Sequence, residues 1–142
     1  MNHPIDRSIG PYIHRTDLRL SAFLQKRIQP YELTTEQWRV LSHLSEQEAG
    51  ITQKELAHKL YKDQTSVARI LDKMLKKELI ERHCHPEDGR ACLLFISEKG
   101  RLLREGLIPV VVEVLDQSLK GITDEEVHEL KRILDKIYQN LE

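Results

Sequence analysis

The chain of 142 residues has only two cysteines, Cys84 and Cys92, and no CxxC or HExxH spacing anywhere. A zinc site built on those spacings is excluded, and so is a disulfide-dense scaffold. There is no glycine-rich phosphate loop and no nucleophile elbow, so the usual signatures of nucleotide-dependent enzymes and serine hydrolases are missing. No catalytic residue, metal or cofactor is expected. The sequence has no long apolar run and no signal peptide, which points to a cytoplasmic protein without a membrane partner. An excess of either charge is missing too: 22 Lys and Arg stand against 23 Asp and Glu, a net charge of −1, with a pI of about 6.7. The chain is no indiscriminate polycation, and any polyanion it binds has to be met by local charge.

What is present is helical periodicity with sharp start signals, in a length that suits one domain or a domain with a helical appendage. Apolar residues Ile5, Ile9, Tyr12, Ile13, Leu20, Phe23, Leu24 and Ile28 recur at helical spacing until Pro30 stops them. A second helix follows the capping-box pair Thr34 and Gln37 and carries Trp38, Val40, Leu41 and Leu44 before Gly50. A third runs from Thr52 to about Leu60, with Thr52 and Glu55 at capping-box spacing.

The fourth helix starts at the N-cap candidate Asp63 and places Val67, Ile70, Leu71, Met74 and Leu75 on one face, which has to be buried. Its other side carries Thr65, Arg69, Asp72 and Lys76, flanked by Ser66 and Lys73, with Gln64 in the first turn. Strand-like Ile80–His85 and Ala91–Ser97 then enclose turn chemistry from Pro86 to Arg90. A hairpin centred on Asp88 pairs Ile80 with Ile96, Arg82 with Leu94 and Cys84 with Cys92, and it sets Ile80, Leu94 and Ile96 inward. A fifth helix is predicted from Ser97 through Leu102, Leu103, Leu107, Val111 and Leu115 toward Leu119, kinked at Pro109. The last opens with Thr123 and Glu126 and shows Val127, Leu130, Ile133, Leu134, Ile137 and Leu141, too apolar for a tail.

Taken alone, the fourth helix reads more readily as a core helix with a solvated charged face. Its neighbours decide otherwise. A short capped helix, a tight turn and a helix with amide, hydroxyl and Arg side chains in its first two turns is the helix-turn-helix layout, whose second helix enters the major groove. The hairpin behind it makes a wing. The fold class is therefore mainly α with a small β-hairpin wing, a winged helix-turn-helix over residues 31–97 between dimerisation helices at 1–30 and 98–142. Candidate contacts to double-stranded DNA are Gln64, Thr65, Ser66, Arg69 and Lys73, with Arg90 at the wing tip entering the minor groove and Asp88 holding it there. The alternative is that the winged fold docks a protein. Residues 62–90 hold 7 Lys and Arg against 6 Asp and Glu, residues 1–30 hold 5 against 2, and residues 123–142 hold 3 against 6. Positive charge is thus graded away from the C-terminal end, as expected if that end points away from phosphates.

The runs TQKELAHKL, QTSVARILDKMLKKELIERHCHPEDGRA and LLFISEKG together resemble the MarR family of bacterial transcriptional regulators. The order and spacing match that family's helix-turn-helix, wing and following helix start. Two positions depart from its pattern: Glu78 stands where Gly commonly ends the recognition helix, and Gly89 where a second Arg is frequent in the wing. The resemblance implies a regulator, a repressor by base rate, binding an inverted-repeat operator as a homodimer. Its interface would use the first helix and the last two, through Ile5, Ile9, Tyr12, Val111, Leu115, Leu130, Ile133, Leu134, Ile137 and Leu141. It also implies a small-molecule effector, in a cleft among the first, second and fifth helices near His14, Leu18, Trp38 and Leu107. On the residues alone, those four serve equally as core.

Cys84 and Cys92 face each other across the predicted wing beside His83 and His85. Period-two alternation puts the two histidines on the side opposite Cys84, which argues against a four-ligand metal site. A disulfide is geometrically conceivable, but two small half-buried wing residues are the default for a reducing compartment. The family's peroxide sensors carry their reactive cysteine in the first helix, where this chain has none.

Overall fold

A computed structural model describes residues 3–85 and 92–142. Its helices are α1 (Gly10–Ile28), α2 (Thr35–Ser45), α3 (Gln53–Leu60), α4 (Gln64–Lys76), α5 (Glu98–Ser118) and α6 (Asp124–Asn140). The strands are β1 (Ile51–Thr52), β2 (Ile80–His83) and β3 (Leu93–Ile96), in an antiparallel sheet of order β1-β3-β2. This is the mainly helical winged architecture expected. The wing register also agrees, with Ile80 opposite Ile96 and Arg82 opposite Leu94.

Start signals behave as the side-chain chemistry requires. Thr34 and Gln37 form a reciprocal capping box on α2, and Thr123 and Glu126 form another on α6. The third box is only half made. Thr52 accepts from the Glu55 backbone N–H at 3.1 Å, but Thr52 is itself part of β1, paired with Leu93. That two-residue strand was not foreseen, because a single apolar residue beside a helix cap has no period to read.

The first helix differs from expectation in the same physical way. Pro4–Arg7 form a separate 3-10 turn capped by His3, and α1 begins only at Gly10. Pro11, in the first turn of α1, has no N–H to donate and crowds the carbonyl four residues back, so one helix cannot run through from Ile5. Pro109, by contrast, lies within α5, which continues to Ser118.

One cluster of buried side chains runs through Ile28, Leu41, Leu56, Leu71, Met74, Leu94 and Leu107, so the N-terminal helix, the winged portion and α5 share a single core. The predicted inward face of α4 is confirmed, with Val67, Ile70, Leu71 and Met74 buried and Leu75 half-buried. On α5 the buried positions are Gly100, Leu107 and Val114, whereas Leu102, Ile108, Val112 and Leu115 face out. An ion pair between Arg27 and Glu113 ties α1 to α5. Helix α6 buries no residue at all, and its Tyr138 ring meets Tyr61, just past α3, edge-on at 5.7 Å. Among the described residues, no helix is long and apolar enough to cross a membrane.

Candidate nucleic-acid interface

Helix α4 begins where the Asp63 carboxylate accepts the Ser66 backbone N–H at 2.7 Å and the Ser66 hydroxyl at 2.9 Å. Those two bonds, the backbone one first, hold the Asp63 carboxyl below its ordinary pKa, so the helix starts with a firmly ionised cap. The Ser66 hydroxyl proton is thereby committed to the cap, and its lone pairs alone remain for a ligand. Gln64, Thr65, Arg69 and Lys73 are exposed along the same helix, and the Gln64 carbonyl accepts from Gln53 Nε2 of α3 at 3.3 Å. That bond braces the two helices across their turn.

The far end of α4 is fixed by backbone geometry. Glu78 adopts φ +61°, donating its N–H to the Leu75 carbonyl at 3.0 Å, while the Leu79 N–H reaches the Met74 carbonyl at 3.0 Å. This double closure is the left-handed helix stop that glycine usually serves, here built on glutamate. Ser97, the N-cap of α5, donates its hydroxyl to the Glu78 carbonyl at 2.7 Å, so the stop of α4 and the start of α5 are one structure.

Between α4 and the N-terminus of α2 lies a polar cleft of about 310 Å³, lined by Thr34, Glu36, Lys62, Ser66, Arg69 and Lys73 among others. Lys62 pairs with Glu36 at 3.0 Å, and Lys77 donates to the Glu32 carbonyl at 2.5 Å. Lys62 was not singled out from sequence. Its position one residue before the N-cap Asp63 was the available signal, since a cation there flanks whatever α4 contacts.

The wing stands beside this surface. Its ladder ends at His83 opposite Leu93, with the His83 ring edge-on to Phe95 at 5.0 Å. Asp88 and Arg90, the predicted wing-tip pair, lie outside the described residues. Cys84 and Cys92 are joined in a disulfide, Cα to Cα 4.2 Å, which corrects the expectation of two unlinked small residues. They are opposite neighbours one step beyond the ladder, the closest approach that two facing strands offer. Among the described residues, no cluster of His, Cys, Asp and Glu could hold a metal ion.

The sequence profile of the MarR family matches residues 33–92, the span from the lead into α2 to the wing. A cysteine-to-serine variant of E. coli MarR, solved with operator DNA, is 26% identical over 96% of this chain and 99% of that one, with a TM-score of 0.83. The winged portion of the chain is similar to the MarR family.

The likeness of fold extends well past the profile. A MarR-family transcriptional regulator from Rhodococcus sp. RHA1 superposes with a TM-score of 0.85 at 24% identity, covering 96% of each chain. S. aureus MepR, solved with DNA, gives 0.82 at 21% identity over 94% of this chain and 96% of that one. At such identities the agreement is one of fold, and it includes α1, α5 and α6 as well as the winged core.

The remaining predicted residues, Trp38 of α2 excepted, lie outside the span of the MarR profile. Ile5, Ile9, Tyr12, Leu115, Leu130, Ile133, Leu134 and Leu141 are all exposed, Leu141 by 80%, while Val111 and Ile137 are half-buried. A cleft of about 690 Å³ opens between α1, α5 and α6, with Leu20, Phe23, Val114 and Leu130 in its apolar wall and Arg15 and Arg19 at its edge. None of His14, Leu18, Trp38 and Leu107 lines it. His14 and Leu18 are exposed, Leu107 is fully buried in the core, and Trp38 is half-buried beneath the Arg104 guanidinium, 5.6 Å from its ring centroid.

Proposed function

We propose that this chain is a sequence-specific DNA-binding transcriptional regulator that works as a homodimeric repressor on an inverted-repeat operator. The observation that carries the reading is α4. Its exposed edge presents an amide, a hydroxyl, a guanidinium and an ammonium in order from its N-terminal end, braced by α3 and a firm cap. That combination reads base edges in a major groove and anchors to the phosphates on either side. Arg69 and Gln64 serve as the principal base readers, with Thr65 beside them. Lys73 and Lys62 meet phosphates, and Arg90 of the wing, oriented by Asp88, enters the flanking minor groove.

A homodimer is supported by apolar side chains left uncovered on three helices, chiefly Leu115, Leu130, Ile133, Leu134 and Leu141. A second copy, also contributing Ile5, Ile9, Tyr12, Val111 and Ile137, covers them. Its two-fold axis sets the two α4 helices about one DNA turn, ~34 Å, apart. An effector acts by favouring one separation of the two reading heads over another. Of the four candidate residues, Trp38 is best placed to meet it. The Arg104 Nε above the ring is buried without a hydrogen-bond partner, a donor suited to an anionic ligand.

Selection of bound sequences from random duplexes, followed by titration of the winning inverted repeat at several salt concentrations, tests the reading. A two-fold symmetric site bound with a steep salt dependence is expected. Retention no greater than that of a neutral control protein at low ionic strength would end it.

A further inference from the structure

The polar cleft between α4 and the start of α2 is lined by three cations, Lys62, Arg69 and Lys73, and by a single acidic residue, Glu36. Glu36 pairs with Lys62 at 3.0 Å, whereas Arg69 and Lys73 form no ion pair among the described residues. Asp63, the carboxylate next to Lys62 in the chain, is already committed to the Ser66 N–H and hydroxyl. One cation of the three is therefore neutralised from within the protein, and by Glu36.

Local structure fixes both ends of that pair. Thr34 and Gln37 close the capping box of α2, and Glu36 stands in the first turn, where the positive end of the helix favours a carboxylate. On the other side Tyr61 turns left-handed at φ +55°, and the Lys62 N–H reaches back to the Ala57 carbonyl at 3.1 Å to end α3. The backbone beneath Lys62 is thus set, and its side chain alone is free to change partner. Both side chains are partly exposed, Lys62 by 32% and Glu36 by 45%, so water weakens the pair enough for another anion to displace it.

We propose that Glu36 is an internal counterion of the DNA-reading surface: its carboxylate holds Lys62 in the free protein and has to yield it to a backbone phosphate when a duplex binds. The proposal rests on the DNA-binding function proposed above and names the residue that limits its strength. In the parent protein Lys62 reaches a phosphate only by leaving a carboxylate unpaired beside it, so the exchange yields little affinity. Three cations less one carboxylate give the cleft a net charge of two; with glutamine at position 36 it would be three. Phosphate contacts carry no sequence information, so Glu36 lowers affinity for operator and unrelated duplex alike.

The test titrates the selected operator and an unrelated duplex of equal length at several salt concentrations. It uses the full-length parent, Glu36→Gln, Lys62→Met and the double variant. Glu36→Gln should bind both duplexes about fivefold tighter at low salt, with a dependence of log affinity on log salt steeper by about 1. Lys62→Met should cost little in the parent and about fivefold in the Glu36→Gln background. The urea midpoint separates this from a purely structural link between α2 and the helix turn, whose loss would lower stability and affinity together. Binding by Glu36→Gln that is unchanged or weaker would overturn the proposal, as would an unchanged salt slope or an equal Lys62→Met loss in both backgrounds. Glu36→Ala should reproduce the gain, since alanine cannot meet the phosphate itself; a gain confined to glutamine would also overturn it. If the parent retains neither duplex, the regulator reading fails and the proposal falls with it. If the parent binds and Glu36→Gln binds no tighter, the proposal alone fails.

Discussion

Gly100 faces the Leu79 carbonyl so closely that a Cβ at position 100 would stand 2.1 Å from its oxygen and 3.1 Å from Ile96 Cγ1. The stop of α4, the start of α5 and the wing meet at this point, because Ser97 donates its backbone N–H to the same Leu79 oxygen at 3.1 Å. Backbone cannot step aside as the tip of a side chain does. Gly100→Ala should therefore destabilise the fold by about 3 kcal/mol, at the upper end for overpacking. The urea midpoint measures it, and an unchanged midpoint would mean that the contact relaxes freely.

Glu78 makes the opposite prediction. At φ +61° its Cβ is strained, and a glycine there would lose the strain while keeping both closing hydrogen bonds. Glu78→Gly should stabilise the protein by about 1 kcal/mol, the left-handed penalty net of the extra chain entropy. A lower melting temperature for this variant would refute the account of the helix stop.

On DNA, Arg69 and Lys73 should fail differently. Arg69→Ala should lose about 1–3 kcal/mol and relax the preference at one operator position, as expected for a base contact. Lys73→Ala should weaken all sequences alike and reduce the salt slope by about 1. Equal loss on every sequence from Arg69→Ala would move it to the phosphates. Arg90→Ala that binds as well as the parent at equal salt would remove the wing tip from the interface.

Placing a charge on the uncovered face of α6 should abolish the proposed homodimer. Ile133→Glu is expected to sediment as a monomer at micromolar concentration and to lose binding to the two-half-site operator, with its helical circular dichroism retained. A dimer that survives Ile133→Glu and Leu130→Glu together would mean that a different surface joins the copies.

The Asp63 cap has a pH signature. Its carboxyl titrates below the ordinary 3.8 because Ser66 donates to it from backbone and side chain. A depressed folded pKa contributes stability that is fully present above the unfolded value and disappears as pH falls through the folded one. Asp63→Ala should therefore melt below the parent at neutral pH, and the gap should close in acid below 3.8. A gap that is constant across that window would assign the cap to geometry alone.

Much of the fold was legible because period and caps are local properties. The buried face of α4, the capping boxes at Thr34 and Thr123 and the wing register from Ile80 to Ile96 all follow from spacings of a few residues. β1 escaped because a two-residue strand exists only through its partner β3. Leu107 was read as a candidate ligand contact, since an apolar residue on a helix does not reveal what it meets; packing put it in the core. Lys62 was missed for a related reason. Its importance lies in a cleft formed with α2, more than twenty positions earlier in the chain.

The sequence by itself determined the order of elements and the exposed chemistry of α4, because these depend on neighbours within one or two turns. Only the tertiary structure decided which apolar stripes were spent inside the core and which, on α1, α5 and α6, were left bare. It also decided that the two cysteines meet. Both are matters of distance between segments, and side-chain spacing along a chain carries no measure of that until the backbone has closed around it.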